Sequence, residues 1–169
     1  GISVGEGNGK RGYMLTYAIA YLRDYMADYH VIGETYETTV PWSKIHDVLN
    51  AVDKRALELH REHGFPGYPY VSPRITQLYH TGVCIYFTHA FNIKGVDNAD
   101  EIFGRMDHEL REVILAAGGS VSHHHGVGKL RKDFMPQAIS PASIEMIKEV
   151  KQANDPQNIF GIRNNALAL

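Results

Sequence analysis

Val83-Cys84-Ile85-Tyr86-Phe87-Thr88-His89-Ala90-Phe91-Asn92-Ile93 is the stretch whose pattern decides the fold. Successive side chains of a strand point to opposite faces. Val83, Ile85, Phe87, Phe91 and Ile93 therefore share one face, with His89 among them, and Cys84, Tyr86, Thr88, Ala90 and Asn92 share the other. The first face belongs in a core. The second is mixed and polar, and it faces water, a site or another domain. Tyr86 is either a surface tyrosine or a site tyrosine, and the pattern does not choose between them. Residues 74–79 read as a neighbouring strand across a short turn at Thr81-Gly82. The preceding 65–73, with three prolines, reads as a loop.

Working outward, residues 31–40 are rich in β-branched side chains and read as another strand, stopped by Pro41. Ser43 is expected to cap a helix running to His63, with Ile45, Val48, Leu49, Val52, Ala56 and Leu59 facing inward and Gly64 ending it. Residues 13–29 hold no breaker, and Leu15, Ile19, Leu22 and Met26 recur at helical spacing. Arg23 lies beside that stripe, and spacing alone makes it a snorkelling surface arginine paired with Asp24 or Asp28. Ahead of it, Gly5-Glu6-Gly7-Asn8-Gly9-Lys10 reads as a flexible connector, since its spacing fits neither a dinucleotide loop nor a Walker loop.

Downstream, Asn98 with Glu101 resembles a capping box opening a helix to about Ala117, with Ile102, Phe103, Met106, Leu110, Val113 and Ile114 as its stripe. Gly118-Gly119 closes it. Ser140-Pro141 starts a last helix in which Ile144, Ile147 and Val150 supply a short apolar stripe, and 155–161 is turn chemistry ending in the apolar pair Ile159-Phe160. The order helix, strand, helix, strand, strand, helix predicts an α+β fold: an antiparallel β-sheet covered by α-helices, with a C-terminal helical tail.

Composition narrows the function classes. The 169 residues suit one domain that buries about two-thirds of its unfolded surface. Lys and Arg number 17 against 19 Asp and Glu, a net charge of −2 with no basic stripe, which argues against a nucleic-acid partner. The single cysteine, Cys84, excludes an intrachain disulfide and a thiolate-cluster zinc site. No apolar run approaches the roughly 18 residues of a membrane-spanning helix. A chain that starts at Gly1 suggests a piece processed from a longer protein.

Ten histidines are present, and three are consecutive, in Ser122-His123-His124-His125-Gly126-Val127-Gly128-Lys129. The run is short and internal, unlike a purification tag. In an extended segment His123 and His125 would point one way and His124 the other, so a metal would need a third ligand such as His80, His89 or a carboxylate. A catalytic loop also fits, because flanking glycines let backbone approach a ligand and imidazoles move protons near neutral pH. Three surface histidines in a loop is the plain alternative.

Residues 118–132, Gly-Gly-Ser-Val-Ser-His-His-His-Gly-Val-Gly-Lys-Leu-Arg-Lys, resemble the histidine-triplet motif of the alkylglycerone-phosphate synthase (alkyldihydroxyacetonephosphate synthase) family. These are flavoproteins of ether-lipid synthesis in the vanillyl-alcohol oxidase superfamily, and the likeness is to their FAD-linked oxidase C-terminal domain. It extends in order through Gly12-Tyr13 to Arg23-Asp24, Gly33-Glu34-Thr35-Tyr36-Glu37-Thr38, Pro41-Trp42, Cys84-Ile85-Tyr86-Phe87 and Asp155-Pro156-Gln157-Asn158-Ile159-Phe160-Gly161. The triplet is the specific part. Related 2-hydroxy-acid dehydrogenases carry Gly-Glu-His-Gly-Ile-Gly there, which aligns their histidine with His125. Their glutamate, a metal ligand in some, is replaced by His124, so the resemblance implies no metal.

The resemblance implies an FAD enzyme that exchanges the acyl chain of acyl-dihydroxyacetone phosphate for a fatty alcohol. The flavin acts there as a covalent trap through N5, with no net redox change. It implies Tyr86 as the base that takes a proton from the substrate carbon, helped by a perturbed environment from His124 or His125, and His123, His124 and His125 as catalytic neighbours. His125 is also implied to meet the flavin. Arg23 is implied to bind the substrate phosphate, which reverses its reading from spacing, and Thr35 to supply a hydroxyl near the site. Thr88 and His89 stand where aromatics are expected, implying a different acyl-chain tunnel.

Residues 1–120 are then expected to be part of a substrate (cap) domain, and 121–169 the histidine loop and a tail returning to a flavin domain that precedes this region. Such a fragment is expected to be inactive alone. A homodimer and membrane-surface association of the full-length protein are implied as well. In eukaryotes the family is peroxisomal, and the terminal 166–169 is not Ser-Lys-Leu-like. The alternatives are an FAD-linked oxidoreductase of a 2-hydroxy acid (D-lactate or glycolate type) and a non-enzymatic ligand- or metal-binding module.

Overall fold

β3 (Gly82–Asn92) is the central strand of a three-stranded antiparallel sheet, flanked by β1 (Val31–Pro41) and β2 (Tyr70–Leu78). The computed structural model describes residues 6–161 and 164. The expectations for Gly1, Gly5 and residues 166–169 lie outside the described residues. The face assignment read from alternation holds along β3. Tyr36, Val40, Val83, Ile85, Phe87 and Phe91 are buried on one face against Val48, Val52, Ala56 and Leu59 of α2 (Ile45–Glu62) and Met106, Leu110 and Ile114 of α3 (Ala99–Ala116). This is the α+β arrangement expected, with an apolar face of the sheet shielded by two amphipathic helices.

α1 (Glu6–Asp28) stands over the opposite face, and its Tyr13, Tyr17, Tyr21, Tyr25 and Tyr29 side of the chain stays exposed. After α3 come the short α4 (Met135–Ala138) and α5 (Pro141–Asn154), which pack on each other through Met135 and Ile144. Ser140 caps α5 as expected, its hydroxyl accepting from the Ser143 N–H at 3.2 Å. Asp155 organises the following turn by accepting from the N–H groups of Ile159 at 2.9 Å and Phe160 at 2.8 Å. The Ile159-Phe160 pair itself is exposed.

Four local expectations fail, each for a physical reason. Residues 6–10 are helical, not a connector: once residues 13–28 form a helix, each added residue gains a hydrogen bond, and Glu6 favours the N-terminal dipole. Pro73 and its neighbours lie inside β2, not a loop, because β2 is an edge strand where a missing N–H breaks no ladder. Ser43 falls inside a 3-10 turn at Trp42–Lys44 and caps nothing; the Trp42 indole donates to the carbonyls of Tyr79 at 3.1 Å and His80 at 3.2 Å and winds the chain there. Asn98 precedes α3 in the left-handed region, at φ 53°, where its side chain makes no cap bond.

His89 fills an aromatic slot. Its ring is fully buried against Tyr36, Phe91 and Phe103, and neither nitrogen has a hydrogen-bond partner among the described residues. Burial first, and Arg111 second, push its pKa from 6.5 down to about 3. Between those values the unfolded chain takes up a proton that the folded chain refuses. Stability is therefore full above pH 6.5 and declines as the pH falls toward 3. His89→Phe is expected to remove that decline and to raise stability by about 1–3 kcal/mol, since it replaces two unsatisfied polar atoms with an apolar ring. Urea unfolding at pH 7 and pH 5 measures both effects; a variant with the wild-type pH dependence would disprove the account.

Candidate active site

The sheet face opposite the core carries Thr35, Glu37 and Thr39 of β1 beside Thr88, Tyr86 and Cys84 of β3, because paired residues share a face. Arg74 of β2 pairs with Tyr86 from the other side. Between this face and α1 runs a groove of about 560 Å3, with Ile19, Leu22, Met26 and Arg23 on the helix side and Thr35 and Tyr86 on the sheet side. Arg23, Thr35 and Tyr86, far apart in the chain, are thus brought to one cavity. The Arg23 side chain is 68% exposed, and its Nη2 lies 3.9 Å from Glu34 Oε2, so its acidic neighbour is Glu34 and not Asp24 or Asp28. An exposed pair of this kind leaves the guanidinium free to exchange partners at little cost.

The histidine loop is built by its flanks. Gly118, at φ 99°, ends the helix in a conformation suited to glycine, and a Cβ on Gly119 would lie 2.6 Å from both Ile114 Cγ2 and Thr38 Oγ1. The chain then runs along the open edge of β1. The Ser120 N–H donates to Thr39 O at 3.0 Å, its Oγ accepts from the Thr39 N–H at 2.8 Å, and its carbonyl accepts from Thr38 Oγ1 at 2.9 Å. At the far end Arg131 Nη1 donates to Gly126 O at 2.7 Å.

Glu37 holds the centre. It is 2% exposed, and its carboxylate accepts from Ser122 Oγ at 2.7 Å and from the N–H groups of His124 at 3.2 Å, His125 at 2.8 Å and His123. Burial pushes its carboxyl pKa up, but these donors outweigh burial and hold it below the usual carboxylate range. Three consecutive N–H groups cannot meet one carboxylate from an extended strand, where they alternate in direction. The triplet is therefore turned, and its rings do not alternate as expected from an extended segment. His123 Nδ1 and His124 Nδ1 are 2.8 Å apart, and the rings of His124 and His125 are 4.6 Å apart.

Tyr86 is the meeting point of groove and loop. The His124 ring stacks on it at 5.9 Å, the His125 ring meets it edge-on at 5.4 Å, and the Arg74 guanidinium lies 5.3 Å from its centroid. His125 stays below the usual imidazole range because burial, together with His124, Arg131 and Arg111, outweighs the attraction of Glu37. It is therefore neutral at pH 7. Cys84, on the same face, is fully buried rather than solvent-facing, because the loop covers that end of the sheet. Donor atoms of Glu37, Cys84, His123 and His124 fall within 4.8 Å of one another; of these, the Glu37 oxygens are tied into hydrogen bonds by the loop and the His123 nitrogens by His124 and by Tyr79 at 2.6 Å.

Glu37, Arg74, Gln77 and Tyr79 were missed from sequence. A signal existed for Glu37, an acidic residue sharing the strand parity of Thr35, and for Arg74 only the register reveals the contact.

A family model described as FAD linked oxidases, C-terminal domain, matches residues 5–163. The chain is 40% identical to an alkyldihydroxyacetonephosphate synthase of Caenorhabditis elegans over 97% of its own length and 28% of that protein. It is 27% identical to one of Dictyostelium discoideum over 95% of its length and 26% of that protein. A solved structure of alkyldihydroxyacetonephosphate synthase shares the fold, with a TM-score of 0.56 at 21% identity, covering 83% of this chain and 21% of the other. The chain thus spans about a quarter of the length of these relatives. It belongs to the family of C-terminal domains of the FAD-linked oxidases.

Proposed function

We propose that this chain forms the substrate side of an FAD-dependent enzyme that exchanges the acyl chain of acyl-dihydroxyacetone phosphate for a fatty alcohol. One observation carries the reading: a single groove joins Arg23, Thr35 and Tyr86, and the histidine triplet closes on Tyr86 from the loop side. Arg23 would take the phosphate, since a guanidinium fork meets phosphate oxygens bidentately and the side chain is held only by a loose, exposed pair. Ile19, Leu22 and Met26 give the groove an apolar wall suited to an aliphatic chain. Thr35 would offer its hydroxyl to the head group, and Tyr86 would take the proton from the substrate carbon.

Among the described residues there is no strand, glycine turn and helix arranged to cradle a dinucleotide, so these residues fit one edge of a flavin and not the whole cofactor. His125, neutral and with its side chain half-buried beside Tyr86, together with His124, would meet that edge. When bound, FAD would supply an electron-accepting heteroaromatic ring to the site. In this reading residues 1–120 belong to the substrate cap and 121–169 to the loop and tail facing the flavin domain. Dimerisation and membrane-surface association of the full-length protein belong to the same proposal.

The full-length protein loaded with FAD is the test. Supplied with acyl-dihydroxyacetone phosphate and a labelled fatty alcohol, it is expected to release one fatty acid for each labelled alkyl product, with the flavin absorbance unchanged at the end. Absence of exchange, with bleaching by 2-hydroxy acids instead, would overturn the proposal in favour of a hydroxy-acid oxidoreductase.

A further inference from the structure

A row of hydrogen bonds leads from β2 into the triplet, and its direction follows from the chemistry of its first member. The Tyr79 hydroxyl donates to the side-chain carbonyl of Gln77, an oxygen that only accepts. A hydroxyl has one proton, so Tyr79 must accept at its 2.6 Å contact with His123, and His123 Nε2 carries the hydrogen. A neutral imidazole with Nε2–H has a bare Nδ1. At the 2.8 Å contact between the two Nδ1 atoms, His124 is therefore the donor. That leaves the second nitrogen of His124, Nε2, with a lone pair, on the ring stacked against Tyr86.

We propose that Gln77 and Tyr79 are positioning residues that set the tautomers of His123 and His124 and make His124 Nε2 a proton acceptor beside Tyr86. Nδ1–H is the less common tautomer of free imidazole side chains, so His124 needs such a row to hold it.

Two features of the fold prepare the row. The register of β2 against β3 slips between Ile75 and Gln77, so that Gln77 rather than Thr76 pairs with Cys84 and shares the face of Tyr86. The Trp42 indole, donating to the carbonyls of Tyr79 and His80, fixes the backbone that carries the Tyr79 ring. The catalytic meaning of the row rests on the function proposed above; the tautomers do not.

The test reads the tautomers directly. Long-range 1H–15N spectra of the histidine rings in the full 169-residue chain, assigned with His124→Gln, are expected to show His123 as Nε2–H and His124 as Nδ1–H near neutral pH. Tyr79→Phe, on a half-exposed side chain, and Gln77→Leu, on an exposed strand, are each expected to shift the His124 tautomer ratio on the order of three- to tenfold toward Nε2–H, the scale of one net hydrogen bond. Gln77→Glu keeps an acceptor and is expected to retain the wild-type spectrum. His124 found as Nε2–H in the wild type, or unmoved by both Tyr79→Phe and Gln77→Leu, would overturn the proposal. Failure of the acyl exchange leaves this result standing, so the two ideas fall separately.

Discussion

Glu37→Ala is expected to free the histidine triplet and to destabilise the chain by about 3–5 kcal/mol, the scale of removing one partner from a buried, charged hydrogen-bond cluster. The carboxylate accepts from Ser122 and from three successive backbone N–H groups, and among the described residues it is the acceptor these four donors share. Alanine leaves these donors to find water, and the loop must open for them to do so. Glu37→Gln keeps one acceptor oxygen but turns an NH2 group toward an N–H donor, so it is expected to lose much of the same stability. Urea unfolding gives the magnitude, and hydrogen exchange at the amides of 123–125 gives the location. A change below about 1 kcal/mol, the size of an ordinary surface substitution, would show that Glu37 does not hold the loop. The pH dependence has a definite sign. The folded carboxyl sits below its unfolded value, so its contribution is complete above the ordinary carboxylate range and is lost as the pH falls through the lowered value.

Tyr86→Phe in the FAD-loaded full-length protein is expected to lower kcat by about 10²–10⁴-fold, the usual span for removing a positioned proton-transfer group. Its contacts with His124, His125 and Arg74 are made by the ring and not by the hydroxyl, so phenylalanine preserves them. Stability and the visible FAD spectrum are therefore expected to stay at wild-type values. Unchanged turnover would remove Tyr86 from the reaction, while loss of FAD would assign it to cofactor retention. The two variants differ in kind, because Glu37→Ala acts through an opened loop and Tyr86→Phe through a single missing oxygen.

Much of the architecture was legible. The alternation in β3 sorted core from site face, the stripes of α2 and α3 named the side chains that cover the sheet, and Gly64, Gly118 and Ser140 marked helix ends correctly. Where local reading failed, the competing influence was remote. Pro73 is tolerated because β2 lies at an edge, and Ser43 is displaced by a Trp42 contact with the next hairpin. The triplet stood out as unusual, but its shape did not follow from its own residues.

Side-chain direction along a helix or strand is a property of consecutive residues, so the sequence by itself determined which residues form the core and that Tyr86 lies on the other face. The partners of Tyr86 were decided only by the tertiary structure. Glu37 meets residues 122–125 across more than 80 positions, Arg74 reaches Tyr86 through strand register, and Gln77, placed by a register shift in β2, meets Tyr79, which in turn reaches His123. These contacts depend on strand order, register and the path of a loop along an open edge. Packing of the whole chain sets those, and no local pattern encodes them.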